Sequence, residues 1–556
     1  MTTTSFDRRD MLRRLASEPF DVLVVGGGIT GVGVALDAAS RGLRTALVER
    51  DDFASGTSSK SSKLAHGGLR YLQQGEIGLV YQALHERQRL RRMAPHLVRI
   101  LPFMIPILTK GGVVNNKIAR LLGQSMWLYD LTGGARIGKF HQRLKKDAAL
   151  AHMPTMPSDK LVSAYLYYDA TVDDARLCVT VARTAAAHGA VVANYAKVVG
   201  LTKHANGKVA GAVVEADGAT IKVEASVVVN CAGVWADDVR MLDEGTHPDS
   251  IRPAKGIHLT IPWDKVRNDI AVVIPVPRDK RSLFVVPWLP KPDGTFTFTY
   301  VGTTDTDYDG PLDDPQCTPQ DVTYVLDALN RSVTTGVTPS DVTGTWAGLR
   351  PLVKEASSGR TADLSRHHKV VASPSGVVSV TGGKLTTFRR MAADGVDDVV
   401  QLLGPGTKRR VGRSRTAKLK LLGADGYREP AADAPDRHLV SRYGTEASLV
   451  QAIIAESPAL AQPLVDGLPY IAAEAVHAVR NEMARTIADV LDRRTRARLQ
   501  GRDDSATAAR AVAALIGPEL GWTADDAERQ IAEYIASVEH ERASGELPLT
   551  HLADAR

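Results

Sequence analysis

Three glycines and one acid carry the first chemistry in this chain. Gly26, Gly28 and Gly31 satisfy GxGxxG, and Glu49 follows 18 positions after the last of them. At such spacing one glycine makes a tight turn, one lets backbone approach a pyrophosphate, and one packs helix against strand. The acid closing the next strand accepts hydrogen bonds from a ribose hydroxyl. The elements needed around them are present in order. DVLVV, from Asp21, reads as a central parallel strand buried on both faces, and GITGVGVALDAASRG as a helix ended by Gly42. RTALVE supplies the second strand. A helix N-terminus at the turn adds N–H donors and positive dipole for phosphate. The chemistry is ADP-dinucleotide binding, and this motif alone leaves NAD and FAD open.

The next segment separates them. FASGTSSKSSKLAHGGLRYL (53–72) is crowded with hydroxyls and glycines where an NAD enzyme continues with a plain βα unit. Small polar residues suit a loop under a larger group such as ribityl and isoalloxazine; a Ser-rich surface loop is the competing reading. Thr57, Ser58, Ser62, Lys63 and Gly67 are the cofactor candidates here. Gly233, ending the apolar run VVVNCA, and Gly383, Leu385 and Thr386 join them from later passes.

The chain resembles the FAD-dependent sn-glycerol-3-phosphate dehydrogenases, membrane-associated members of the glycine-oxidase-like flavoproteins. The segments that carry the resemblance are VVGGGITGVGVALDAASRGL, TSSKSSKLAHGGLRYLQ, VDDARL, NCAGVWAD, KGIHL, VGTTDTDYDG, GLRPL, TGGKLTTFRRMA and VRNEMARTIADVLDRRTR, in family order. Lys60 departs from it, standing where members often have a small or different residue, and the tail beyond Gly501 is not matched. The resemblance implies FAD as cofactor and sn-glycerol 3-phosphate oxidised to dihydroxyacetone phosphate, with electrons passed to membrane quinone. It also implies a substrate pocket lined by Arg70, Tyr71, Arg350, Arg366 and Lys384. Oxygen as acceptor, making peroxide on the same scaffold, is the nearest rival. A related amine or amino-acid oxidase and a flavin-bearing scaffold protein are the others.

Such an oxidation needs a base for the hydroxyl proton, positive charge for the reduced ring and a grip on the phosphate. Phe388, Met391, Val396, Val399, Val400 and Leu403 recur at helical spacing, so a helix starts just after Gly382-Gly383-Lys384. Its N-terminus and Lys384 are the expected source of positive charge at the ring. Arg350 and Arg70 sit between glycine and apolar residues, where an unpaired charge is costly, and a guanidinium fork suits an oxyanion. His66 and His258 are the candidate bases, because neutral imidazole takes a proton near neutral pH. His367 and His368 are adjacent and would point to opposite sides of a strand, so no metal pair is expected.

The expected fold is α/β plus α: a Rossmann-like, glycine-oxidase-like FAD-binding domain, an antiparallel-sheet substrate domain and a C-terminal all-helical domain. The FAD-binding domain is read as discontinuous, over 1–95, 170–240 and 345–404. Residues 96–169 and 241–344 form the substrate or cap domain, with IHLTI, AVVIPV, SLFVVPW and TFTFTYVG as its strands. Thr318-Pro319-Gln320-Asp321 is a helix start. From 405 a linker with seven basic residues in TKRRVGRSRTAKLK leads into Ala-rich helices.

The 556 residues, 44% hydrophobic and 24% charged, suit two to four globular domains and exclude a disordered or collagen-like chain. Cys178, Cys231 and Cys317 are far apart and form no CxxC pair, which suits a reducing compartment. The N-terminus has no apolar signal core and reads as an amphipathic helix, with Phe6, Met11, Leu12 and Leu15 on one face. Lys+Arg exceed Asp+Glu by 69 to 63, a net +6, which leaves an anionic partner open. The basic runs 85–99 and 143–146, with the apolar-basic 108–131 and its Trp127 and Tyr129, suggest a face lying on an anionic membrane. Expected placement is cytoplasmic, peripheral on the inner face of the cell membrane. Nucleic acid is not expected as a partner, since aromatics are only 5% and no binding module is visible. A homodimer is carried as an open expectation.

Overall fold

In the computed structural model, residues 6–68, 76–109, 123, 126–127, 129–130, 138–276, 281–354 and 367–554 are described. Two sheets and a helical body make up the chain. The first sheet runs in the order 368–372, 378–382, 219–230, 20–25, 45–48, 191–193. Phe20–Val25 is buried at every position and pairs in parallel on both sides, which is why FDVLVV shows no polar alternation. Register does the positioning. Val25 lies beside Val48 on one side and Asn230 on the other, so the chain leaves three neighbouring strands at one edge. Gly26, Glu49 and Cys231 therefore follow at the same level. Val378–Gly382 pairs parallel to Ala219–Asn230 and brings Gly383 and Lys384 to that edge as well.

Helix Ile29–Ser40 follows the glycine turn and is buried along nearly its whole length. It crosses helix Phe388–Leu402 so closely that a Cβ on Gly33 would stand 2.7 Å from the Phe388 ring. The N-terminal helix Arg8–Ser17 packs Met11 and Leu15 inward, and Asp7 caps it by accepting from the Asp10 N–H at 2.8 Å. Arg8 is buried too: it donates to the carbonyls of Asn194 and Tyr195 and pairs with Asp217.

The second sheet holds 306–307, 251–262, 296–302, 282–290, 271–275, 98–108, 161–172 and 64–65 in order, with 344–353 also on 251–262 and 142–145 on 161–172. Its pairings are antiparallel as expected, with one exception. Ala271 and Val272 pair in parallel with Phe103 and Met104 and so join two antiparallel halves. Gly344–Val353 pairs with Ile251–Pro262 over ten positions, so the chain re-enters the first sheet only at His368. The Thr318 start is a full capping box with Asp321.

Beyond 437 come the helices Arg437–Tyr443, Ala447–Glu456, Ala472–Glu482, Arg502–Leu520 and Ala524–Ser544, around cores of their own. This body is fastened by buried ion pairs to the turn after the strand Thr45–Val48 and to the helix Asp174–Ala187. Arg493 and Arg494 bind Asp52, Arg496 binds Asp174, and Glu482 binds Arg176. The matched motif at 479–496 supplies those clamping residues.

Two sequence expectations about surface charge are corrected. Within 85–99, Glu86 and Arg87 are buried, pairing with Arg389 and Asp169 respectively. Tyr129, expected with Trp127 at a lipid boundary, is buried and donates its hydroxyl to Asp169 at 2.8 Å. Trp127 is exposed. Most of 108–131 lies outside the described residues. Among the described residues no helix is long and apolar enough to cross a membrane.

Candidate FAD and substrate site

The strand ends of the first sheet and one face of the second enclose a cavity of about 910 Å³. Its walls include Gly26, Gly28, Glu49, Thr57, Ser58, Ser62, His66, Gly233, His258, Arg350, Gly383, Lys384, Leu385 and Thr386. These fourteen sequence-selected positions come together there, whereas Gly31, Lys63 and Gly67 do not line it.

 The described candidates number seventeen in all, fourteen on the cavity wall and three away from it. Arg70, Tyr71 and Arg366 lie outside the described residues.

The dinucleotide end is shaped by packing. Gly26 has φ +111°, and a Cβ there would stand 2.7 Å from the Cys231 carbonyl oxygen. A Cβ on Gly31 would collide with the Gly26 carbonyl, so this glycine lies under the turn and sets the strand–helix approach. Gly28 differs: its added Cβ would meet only Ser58 Oγ, at 3.3 Å, and otherwise face the cavity. Ser58 Oγ accepts the Ile29 N–H at 2.9 Å and so fixes the 53–60 turn to the helix start. Glu49 accepts the Gly27 N–H at 2.5 Å and the Asp51 N–H at 2.8 Å. Burial pushes its carboxyl up to about 7, against those two donors. A glycine cradle, a helix start whose N-cap is Gly28 and an acid at the second strand end fit an ADP-bearing cofactor.

At the other end, Gly382 and Gly383 have φ +74° and +77° and carry the chain into the turn Leu385–Thr387 and helix Phe388–Leu402. Lys384 stands at that turn on the cavity wall. His66 donates its backbone N–H to Thr386 Oγ1 at 3.1 Å, which ties the 61–68 segment to the same turn. Burial pulls the His66 imidazole below its ordinary value; Lys384 and Arg87 push the same way and Asp169 opposes. Its neutral form is the one a base requires.

His258 is placed differently. Its ring stacks on Trp346, with centroids 4.7 Å apart, and Nε2 bonds Ser62 Oγ at 2.9 Å. Burial, then Lys63 and Arg350, hold it well below the usual histidine range. Its Nδ1 is buried with no hydrogen-bond partner among the described residues. Lys63 turns away from the cavity to Asp174, at 3.4 Å, and lies over the Trp346 ring. Gly67 donates its N–H to Asp169 Oδ1 at 3.1 Å, in the buried group that also holds Arg87 and Tyr129.

Arg350 comes from Gly344–Val353 and is held by one turn: it donates to Thr303 Oγ1 at 3.1 Å, the Thr304 carbonyl at 3.0 Å and Asp305 Oδ1 at 3.2 Å. Gly256 is required beside it, since a Cβ there would collide with the guanidinium. Sequence reasoning missed Arg281, a second guanidinium on the cavity wall, which donates to the Asp305 carbonyl at 2.6 Å. It also did not single out Thr303 and Asp305, although VGTTDTDYDG was among the matched segments. The signal was a polar motif ending the strand Phe296–Gly302.

Residues 21–389 match the FAD dependent oxidoreductase family, and residues 414–527 match the C-terminal domain of alpha-glycerophosphate oxidase. Glycerol-3-phosphate dehydrogenase 2 of Mycobacterium tuberculosis is 41% identical, covering 96% of this chain and 91% of that protein. The mitochondrial glycerol-3-phosphate dehydrogenase of Homo sapiens is 36% identical over 92% of this chain and 72% of its own length. The glycerol-3-phosphate dehydrogenase of Bacillus halodurans, solved with FAD, superposes with TM-score 0.75 at 30% identity, covering 96% of this chain and 98% of that one. FAD is therefore the group the cavity fits, and the chain belongs to the family of FAD-dependent glycerol-3-phosphate dehydrogenases.

Proposed function

We propose that the chain oxidises sn-glycerol 3-phosphate to dihydroxyacetone phosphate and that the electrons pass to a membrane quinone. The observation that carries this reading is Arg350, fixed by three bonds to the 303–305 turn on the cavity that Lys384 and His66 also line. FAD, when bound, supplies the hydride acceptor. Arg350 grips the phosphate with a preset fork, and Arg281 adds charge beside it. His66 takes the hydroxyl proton, because it is neutral and its ring has no hydrogen bond among the described residues, whereas His258 is stacked and bonded to Ser62. Lys384 and the turn behind it place positive charge where the acceptor gains negative charge. The names of the relatives support the substrate, and Trp127 with the basic strand Gln142–Lys145 supports a peripheral seat on the inner face of the membrane.

The test is anaerobic: the purified yellow protein is mixed with sn-glycerol 3-phosphate and its flavin absorbance followed. Bleaching, with recovery on adding a soluble quinone, supports the reading. Flavin that stays oxidised would sink the substrate, and dominant peroxide formation in air would replace quinone by oxygen as acceptor.

A further inference from the structure

A second cavity, of about 520 Å³, lies between the 50–60 turn, the strand Gly344–Val353 and the C-terminal body. It shares Arg50, Ser55, Lys60 and Trp235 with the wall of the first cavity, and its far wall carries Asp492, Arg493, Arg496 and Arg498. Most of its charges are committed to each other. Arg50 pairs with Asp51 and Asp313, Arg496 with Asp174, and Arg498 with Glu541 and Asp492. Asp314 is 65% exposed and stands beside His540.

Two donors are left over. Lys60 has no ion pair or side-chain hydrogen bond among the described residues, and the charges that bear on its ammonium are Asp314, Arg498, Arg493 and Asp492, all lining this cavity. Arg493 binds Asp52 through Nε and Asp489 through Nη2, and its Nη1 has no hydrogen bond among the described residues. Burial lowers the Lys60 amine, and Arg498 and Arg493 lower it further while Asp314 opposes. The charge of Arg493 is met by Asp52 and Asp489, whereas the Lys60 ammonium has no carboxylate bonded to it among the described residues, and a poorly solvated cation is costly unless an anion joins it. The backbone of Lys60 cannot move off easily, because it packs against Gly348, whose added Cβ would stand 2.7 Å from the Lys60 carbonyl oxygen.

We propose that this cavity is a second anion site, in which Lys60 Nζ and Arg493 Nη1 hold a phosphate-sized oxyanion between the cofactor body and the C-terminal body. An ion there stabilises the folded chain by binding it and not the unfolded one.

The test titrates inorganic phosphate into the full-length FAD-loaded protein by calorimetry, while flavin absorbance is recorded. Wild type is expected to bind two phosphates, of which only one perturbs the flavin. Lys60→Gln is expected to lose at least ten-fold in affinity at the silent site and keep the other; Arg350→Ala is expected to do the reverse. Lys60→Arg, which keeps the charge, is expected to retain silent binding, and this separates an ion site from mere packing. A single phosphate in wild type, or silent binding unchanged in Lys60→Gln, overturns the proposal. Loss of only the flavin-perturbing phosphate bears instead on the substrate reading.

Discussion

Arg350 and Asp305 meet at 3.2 Å through Nη1 and Oδ1, on the turn whose Asp305 carbonyl also accepts from Arg281. One residue thus anchors two guanidiniums that arrive from different strands. Replacing Arg350 by Lys removes the fork and keeps the charge. A charge-assisted bond of about 1.5–3 kcal/mol is lost, on the order of 10- to 100-fold in kcat/KM for the phosphate ester. Arg281→Met is expected to raise KM more than it lowers kcat. Steady-state kinetics with glycerol 3-phosphate checks both, and an unchanged KM in both variants counts against a phosphate grip here.

The proton step has a pH signature. His66 titrates below its ordinary value of 6.5, so in the free enzyme it stays neutral as pH falls through that value, and the acid limb of kcat/KM is expected below 6.5. Lys384 contributes to that lowering, so Lys384→Met is expected to move the limb upward as well as slow turnover. A wild-type limb at or above 6.5 would remove His66 from the role of base.

The three glycines of the first turn are not equivalent. Gly31→Ala puts a methyl into the Gly26 carbonyl, so a lower melting temperature is expected even without cofactor. Gly28→Ala adds a methyl that meets only Ser58 Oγ at 3.3 Å, so the apoprotein is expected to fold while FAD binding weakens at least ten-fold. Melting curves of apoprotein and FAD titrations separate the two outcomes; equal loss of stability in both variants would contradict them.

Glu474 is one of several buried or part-buried carboxylates, with Glu482 and Asp173, that are held below their ordinary values and so contribute stability that acid removes. Burial works to raise its carboxyl, but His438, Arg442 and the Ile471 N–H outweigh that and bring it to about 2 from 4.5. A lowered folded-state value means stability that is full above 4.5 and lost as pH falls towards 2. The shift is worth about 3 kcal/mol at full effect. Urea midpoints measured from pH 5 to 2 are expected to fall less steeply in Glu474→Gln than in wild type, from a lower starting value at pH 5.

The local devices were legible in the sequence. The glycine turn, the acid after the second strand, the capped helix at Thr318 and the turn at Lys384 each lie within a few residues of what they need. Longer-range pairing was not. Glu86 and Arg87 read as part of a charged surface run because their partners, Arg389 and Asp169, lie 303 and 82 residues away. Tyr129 has the same amphipathic chemistry whether it meets lipid or, as here, a buried carboxylate. Arg281 was not singled out, because the Asp305 carbonyl that it donates to lies 24 residues on. Lys63 was grouped with the cofactor loop by position, yet its ammonium belongs to Asp174, 111 residues on.

The ion pairs that fasten the C-terminal body also set an order of assembly. Asp52 and Asp174 are fully buried, and Asp52 borders the turn that shapes the cofactor cavity. Their guanidinium partners, Arg493, Arg494 and Arg496, are made more than three hundred residues later. A chain emerging from the ribosome therefore holds Asp52 without its guanidinium partners, and Asp174 with Lys63 alone, until those arginines are made. The turn beside the cofactor cavity gains its full set of ion pairs only from residues of the C-terminal body, the last part of the chain to be made.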